Sequence, residues 1–188
     1  MKIILLFGSP GAGKGTQSKN IIHKYGFNHI ATGDLLRNAI VNNTELGIQA
    51  KKYMDKGNLV PDDLVVRMIE KQIDKLPDST GFVFDGFPRT VEQAEAFDKV
   101  LSDKGLSVSF MLALDVEKEE LKDRLKKRAE EEGRVDDTPE IIEKRIKVYL
   151  DKTAPVANYY KKQGKFHEIS GMGTVDDIFN RITSIIES

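Results

Sequence analysis

Ile3-Ile4-Leu5-Leu6-Phe7-Gly8-Ser9-Pro10-Gly11-Ala12-Gly13-Lys14-Gly15-Thr16 runs from five apolar residues straight into a glycine-rich loop. The apolar run has the length of a buried strand. The pattern after the loop, Gln17 to Tyr25, predicts a helix with Ile21 and Ile22 on its inner face. Strand, glycine-rich loop and helix in that order is the context of a phosphate-binding loop. Gly8, Gly11, Gly13 and Gly15 let the backbone approach an anion and take positive φ. The N–H groups then point inward, and the positive end of the helix dipole adds to them. Lys14 is placed to reach the outer phosphates, and Thr16 offers a hydroxyl on the metal side. The rival reading is a glycine-rich turn that binds nothing; correctly placed strand and helix count against it.

Working outward, strand and helix patterns alternate. Short apolar strands are expected at 27–30, 82–85, 108–114 and 166–169, with helices between them. That alternation predicts an α/β fold: a P-loop, five-stranded parallel sheet with helices on both faces. Thr90 reads as the cap of one helix and Thr174 as the cap of the last. Thr138-Pro139 starts a long helix that Pro155 is expected to interrupt. Two stretches fit the sheet least. One is 31–60, helical where a strand was due; the other is the polar excursion around 130–137. Both are expected to stand off the core, on either side of the loop, and to hinge. The 188 residues therefore divide into a core (1–30, 61–128, 138–188), an insertion (31–60) and a short lid (129–137).

Composition narrows the function. A chain of 188 residues buries roughly 70% of its unfolded surface, enough for a core without staples. There are no cysteines, so disulfides and thiolate metal sites are excluded, as expected of a protein of the reducing cytoplasm. The three histidines, His23, His29 and His167, lack metal-ligand spacing. A net charge of −1 gives no footprint for nucleic acid. No apolar run is long enough for a membrane span, and Met1-Lys2 leads into the first strand without a signal-like core.

Asp85 ends a strand expected beside the first, where a carboxylate holds Mg²⁺, usually through water. Its rival role is to bind a nearby turn. Six arginines, Arg37, Arg89, Arg124, Arg128, Arg134 and Arg145, fall at loop or helix positions flanking the loop. Arg124 and Arg128 share a helix face. One arginine alone reads as solvated charge, but six around a phosphate site suit phosphoryl transfer, which needs positive charge around the moving group.

The GSPGAGKGT form at 8–16 places Gly15 where the general motif has Ser or Thr, a variant of nucleoside monophosphate kinases. With ATGDLLR at 31–37, DGFPRT at 85–90 and GRVDD at 133–137, in order and at family spacing, the chain resembles the adenylate kinase family over essentially its whole length. The resemblance implies transfer of a phosphoryl group from MgATP to AMP, giving two ADP, by a cytoplasmic monomer. It implies that Gly11, Ala12, Gly13, Lys14, Gly15 and Thr16 hold the ATP phosphates, with Arg124 and Arg128 on the same side and Gly173 at the base. On the AMP side it implies Thr32, Arg37, Asn58, Leu59, Val60, Gly86, Phe87, Pro88 and Arg89, with Gln93 reading the adenine edge. Arg134 and Arg145 would bridge the two phosphates, and Lys14, Arg89, Arg124, Arg134 and Arg145 would be catalytic.

Thr90-x-x-Gln93 is equally a capping box, which leaves Gln93 a purely structural alternative. UMP/CMP kinases share the loop and the arginines but typically differ at Thr32-Gly33-Asp34 and at Thr90, so AMP is the favoured acceptor over UMP or CMP. A nucleotide-dependent switch is the third reading; the chain has no Asn-Lys-x-Asp base-reading motif. Only five residues separate Arg128 from Arg134, and with no cysteines the structural zinc of long-lid members has no ligands.

Overall fold

The structure is a computed structural model. It describes residues 1–76, 78–132 and 138–188, with side chains in all of these except 129–132. Five parallel strands form one sheet: β1 (Lys2–Phe7), β2 (Asn28–Ala31), β3 (Gly81–Asp85), β4 (Phe110–Asp115) and β5 (Phe166–Ser170), in the order β2-β3-β1-β4-β5. β1 is central because it is apolar on both faces, as a strand covered by helices on each side must be. Ile3, Leu5 and Phe7 join one apolar cluster, and Ile4 and Leu6 join the other. Period-two alternation thus builds two cores from one strand.

The first core packs the sheet against α4 (Asp62–Asp74) and α5 (Val91–Asp103), and against Val156 and Tyr160 of α8 (Pro155–Lys162). Phe84, Phe87 and Phe97 meet there edge to face or tilted, with centroids 5.0 to 6.2 Å apart. The second core sets Ile21 of α1 (Lys14–Tyr25) and Ile178, Ile182 and Ile186 of α9 (Val175–Ile186) against Val83, Leu112 and Ile169. The remaining helices are α2 (Thr32–Val41), α3 (Glu45–Met54), α6 (Lys118–Glu132) and α7 (Pro139–Val148). Leu36, Ala50 and Val60 of the 31–60 insertion join the first core, so the insertion is rooted in the same apolar cluster as β1. Its two helices cross at Gly47, where a side chain would collide with the Ala39 carbonyl. Among the described residues no helix is long and apolar enough to cross a membrane.

One helix boundary differs from the sequence pattern, and one break takes a form the pattern does not specify. The first helix begins at Lys14 rather than Gln17, because Gly13 sits at its N-cap with φ +91° and its carbonyl already accepts from Gln17 N–H at 3.0 Å. Pro155, in turn, interrupts the long helix as expected and opens its second piece, but the break is a π turn rather than a gap. The chain stays helical from α7 through a π turn (Tyr149–Thr153) into α8. Proline has no N–H, so the Asp151 carbonyl loses its ordinary partner four residues on. The helix widens instead, and Ala154 N–H donates to the Tyr149 carbonyl five residues back at 2.7 Å.

Candidate active site

The carboxyl ends of β1 and β3 are adjacent, Leu6 pairing with Asp85. β1 is flanked by β3 and β4, so the chain leaving β1 enters a crevice at the switch in strand order, where open α/β sheets bind ligands. A cleft of about 910 Å³ opens there, at the upper end of the range for small-molecule sites.

The glycine loop forms its floor. Gly11 has φ +86°, and a Cβ there would lie 2.8 Å from Leu125 Cγ. This loop shape therefore demands glycine. Lys14 Nζ donates to the loop's own carbonyls, Gly8 at 2.9 Å and Ser9 at 3.0 Å. Asp85 faces α1 across the cleft: a Cβ at Gly15 would lie 3.6 Å from its Oδ2. Burial lowers the Lys14 pKa to about 8; Asp85 opposes that fall, while Arg89 and Arg128 add to it. These influences place Lys14 among one carboxylate and two guanidinium groups.

Gly11, Gly13, Lys14, Gly15 and Thr16 all line the cleft. Ala12 does not: its side chain is buried in the second core and its N–H donates to the Ser9 carbonyl at 3.1 Å. Ala12 thus shapes the loop from beneath, and its expected part at the phosphates is that of its backbone. Across the cleft stand Thr32, Arg37, Asn58, Leu59, Val60, Gly86, Phe87, Pro88, Arg89 and Gln93, brought together from distant parts of the sequence. Arg124, Arg128, Arg145 and Gly173 close the remaining sides. Of the six arginines, the five that the structure describes converge on one cavity. Arg134 lies outside the described residues.

The side chains are held by neighbours. Arg89 is exposed to the cleft; partial desolvation there, with Arg145 and Arg37, lowers its pKa, and Asp85 opposes them. Its Nε donates to the Gly86 carbonyl at 2.7 Å, and the buried Thr32 hydroxyl donates to that same carbonyl at 2.9 Å. Arg37 pairs with Asp34 at 2.5 Å. Arg124 donates to Glu120 at 2.7 Å and to the Gly171 carbonyl at 3.1 Å, tying α6 to the loop after β5. That loop is held by Arg181, which donates to the Ser170 and Met172 carbonyls, and by the Thr174–Asp177 capping box.

Gln93 both lines the cleft and serves the start of α5. Thr90 Oγ1 accepts from Gln93 N–H at 3.1 Å, half of a capping box. The amide oxygen, however, accepts from Arg89 N–H at 2.7 Å rather than from the cap residue, and Nε2 donates to Asp62 Oδ1 at 2.7 Å. The amide thus braces Arg89. Asp62 also accepts from Thr90 Oγ1 at 3.0 Å. The sequence marks Asp62 only as a helix start, so its bond to a residue 31 positions away was not legible there.

A model of the adenylate kinase family matches residues 6–165, most of the chain. The chain belongs to the adenylate kinase family. It is 51% identical over 184 residues to an adenylate kinase from Phocaeicola vulgatus, covering 98% of this chain and 97% of the relative. It is 51% identical over 185 residues to one from Bacteroides fragilis, covering 98% of each chain. To one from Flavobacterium psychrophilum it is 47% identical over 186 residues, again covering 98% of each. The five-stranded parallel sheet with helices on both faces and the glycine loop after β1 are thus those of an adenylate kinase family member.

One carboxylate and one hydroxyl at the loop make a sparse donor set for a cation. Among the described residues no group of three or more acidic, histidine or cysteine side chains is placed to hold a metal. That suits Mg²⁺, which keeps several waters and binds through one or two carboxylates plus substrate phosphates. Asp85 and Thr16, both lining the adenylate kinase cleft, are the carboxylate and hydroxyl in question.

Proposed function

We infer that the protein transfers the terminal phosphoryl group of MgATP reversibly to AMP, giving two ADP. The observation that carries this reading is the convergence of Lys14 and five arginines on one cleft between the glycine loop and the Thr32–Gln93 pocket. An oxygen of the AMP phosphate attacks the γ-phosphorus in line; the new P–O bond forms as the bond to the β-phosphate bridging oxygen breaks. The attacking oxygen is already anionic, so no general base is required. Lys14 and the loop N–H groups hold the donor phosphates, with Arg124 and Arg128. Arg37 and Arg89 hold the acceptor phosphate, and Arg145, with Arg134, joins the two. Asp85 and Thr16 would hold the Mg²⁺ that accompanies ATP, which would supply neutralising charge at the phosphates. Catalysis then rests on positioning and on fixed positive charge in a site that excludes water.

The domain division and a cytoplasmic monomer belong to the same reading. The insertion 31–60 and the lid 129–137, of which 133–137 lie outside the described residues, are read as closing over the two nucleotides, and their opening as limiting turnover. Sedimentation at the mass of one chain is the result expected of the monomer.

The acceptor is tested by assaying ATP with AMP, UMP and CMP in turn. Transfer to AMP alone is expected. Transfer to UMP or CMP would move the protein to the pyrimidine kinases, and hydrolysis indifferent to acceptor would make it a switch.

Lys14 also sets a pH dependence. With its pKa at about 8, the free protein loses this charge as pH rises through that value, while bound phosphates draw the proton back. kcat/KM for ATP reports the free enzyme and is expected to fall above about pH 8, with kcat holding to higher pH. A kcat/KM flat across that range would contradict the assignment. The folded pKa lies below the unfolded value of 10.5, so the unfolded chain holds the proton longer. This group alone makes the fold more stable as pH rises from about 8 toward 10.5.

A further inference from the structure

We propose that Thr153 is a positioning residue for phosphoryl transfer, holding the Arg89 peptide from the π turn so that the guanidinium is presented at a fixed angle to the acceptor phosphate. The proposal rests on the reading of Arg89 as the acceptor-phosphate residue.

Thr153 is the last residue of the π turn and is 7% exposed. Its Oγ1 donates to the Arg89 carbonyl at 2.9 Å, across 64 residues of sequence. The N–H of Arg89 donates to Gln93 Oε1 at 2.7 Å. Arg89 is therefore gripped at both backbone polar groups by two different elements, α5 and the π turn. Its side chain is held a third time, Nε to the Gly86 carbonyl. A long flexible side chain gripped at its root and partway along its stem has little freedom left at the tip, which is what a charge aimed at a moving phosphoryl group requires.

The π turn supplies the geometry. The extra residue it accommodates rotates the helix beyond it by about 100° relative to an uninterrupted α-helix, one residue's share of a turn. Thr153 stands at the end of this widened turn, with its hydroxyl on the carbonyl of Arg89. Wide turns of this kind recur at functional sites, and Thr153 lies about two turns beyond Arg145 on the same helical run. Arg145 and Thr153 thus meet Arg89 from a single run, one at the guanidinium through charge and the other at the peptide. Valine keeps the shape of threonine in this buried position and lacks only the hydroxyl, so Thr153→Val isolates the bond.

The test compares Thr153→Val with Thr153→Ser, each alone and with Arg89→Met, measuring kcat and both KM values beside thermal melting. Thr153→Val is expected to lower kcat/KM for AMP by about 10-fold, the scale of a small misplacement of a catalytic group. KM for ATP should stay within about twofold and Thr153→Ser should recover most of the loss. On the Arg89→Met background Thr153→Val should cost less than about twofold more, since its effect acts through Arg89. Unchanged kcat/KM for AMP, equal losses for AMP and ATP, or full additivity with Arg89→Met would each overturn the proposal. If Thr153→Val does not fold, Thr153→Ala gives the same comparison with Thr153→Ser. Arg89→Met with ordinary activity would instead overturn the underlying assignment of Arg89, a result distinguishable from failure of Thr153 alone.

Discussion

Lys14→Met is expected to lower kcat by about 10³-fold, the cost of removing one preorganised charge from a transition state, or about 4 kcal/mol of barrier. The fold should survive. Desolvation already disfavours the lysine's charge, as its lowered pKa records, so exchanging the half-buried ammonium for an apolar side chain of similar length removes a charge the folded state holds at a cost. The two carbonyls it satisfies belong to Gly8, which lines the open cleft, and to its neighbour Ser9, and water entering the cleft replaces the ammonium there. The melting temperature is therefore expected to equal or slightly exceed that of the unaltered protein. Initial rates with saturating ATP and AMP, beside a melting curve, check both halves. Loss of activity together with loss of structure would say that Lys14 serves the loop's shape; full activity would remove it from the chemistry.

Arg89→Met should lower kcat/KM for AMP by about 10³-fold with a much smaller change in KM for ATP. The asymmetry comes from its position. Arg89 is anchored to Gly86 and braced by Gln93, on the wall proposed above for the acceptor, whereas Lys14 and Arg124 belong to the wall proposed for the donor. Removing the guanidinium also relieves repulsion on Arg145 and Arg37, so the variant should remain folded. Separate titrations of the two substrates at fixed saturating concentrations of the other measure the split. Equal losses for both nucleotides would place Arg89 between them rather than on the acceptor.

These effects trace back to features of very different legibility. The loop, the central strand and the alternation of strands with helices are local patterns: five apolar residues, four glycines and a lysine occupy one short window. The two-faced burial of β1 comes from its composition alone. The arginines are readable as a set, because their positions in loops and on one helix face can be placed around a known centre. Gln93 shows where locality ends. Thr90-x-x-Gln93 suggests a capping box, and Thr90 does cap, but the amide oxygen turns to the Arg89 N–H one residue earlier. That choice depends on Asp62 taking the other end of the amide, a partner 31 residues away.

The π turn illustrates a second limit. Pro155 signals that a helical bond is missing without saying whether the helix ends, kinks or widens. Widening wins here because α7 and α8 continue one helical run, and only then does Thr153 face Arg89. Ala12 reads, with its glycine neighbours, as part of the anion cradle through its backbone; that its methyl enters the core beneath the loop is not legible there. Consecutive residues of a tight loop point in different directions, and sequence adjacency does not tell which.

The most direct measurement is titration of the protein with a dinucleotide in which two adenosines are joined by five phosphates, long enough to occupy both walls of the cleft at once. One molecule should bind per chain, competing with ATP and with AMP alike, and Lys14→Met and Arg89→Met should each weaken it. Two molecules per chain, or competition with only one of the two nucleotides, would contradict a single gap shared by donor and acceptor.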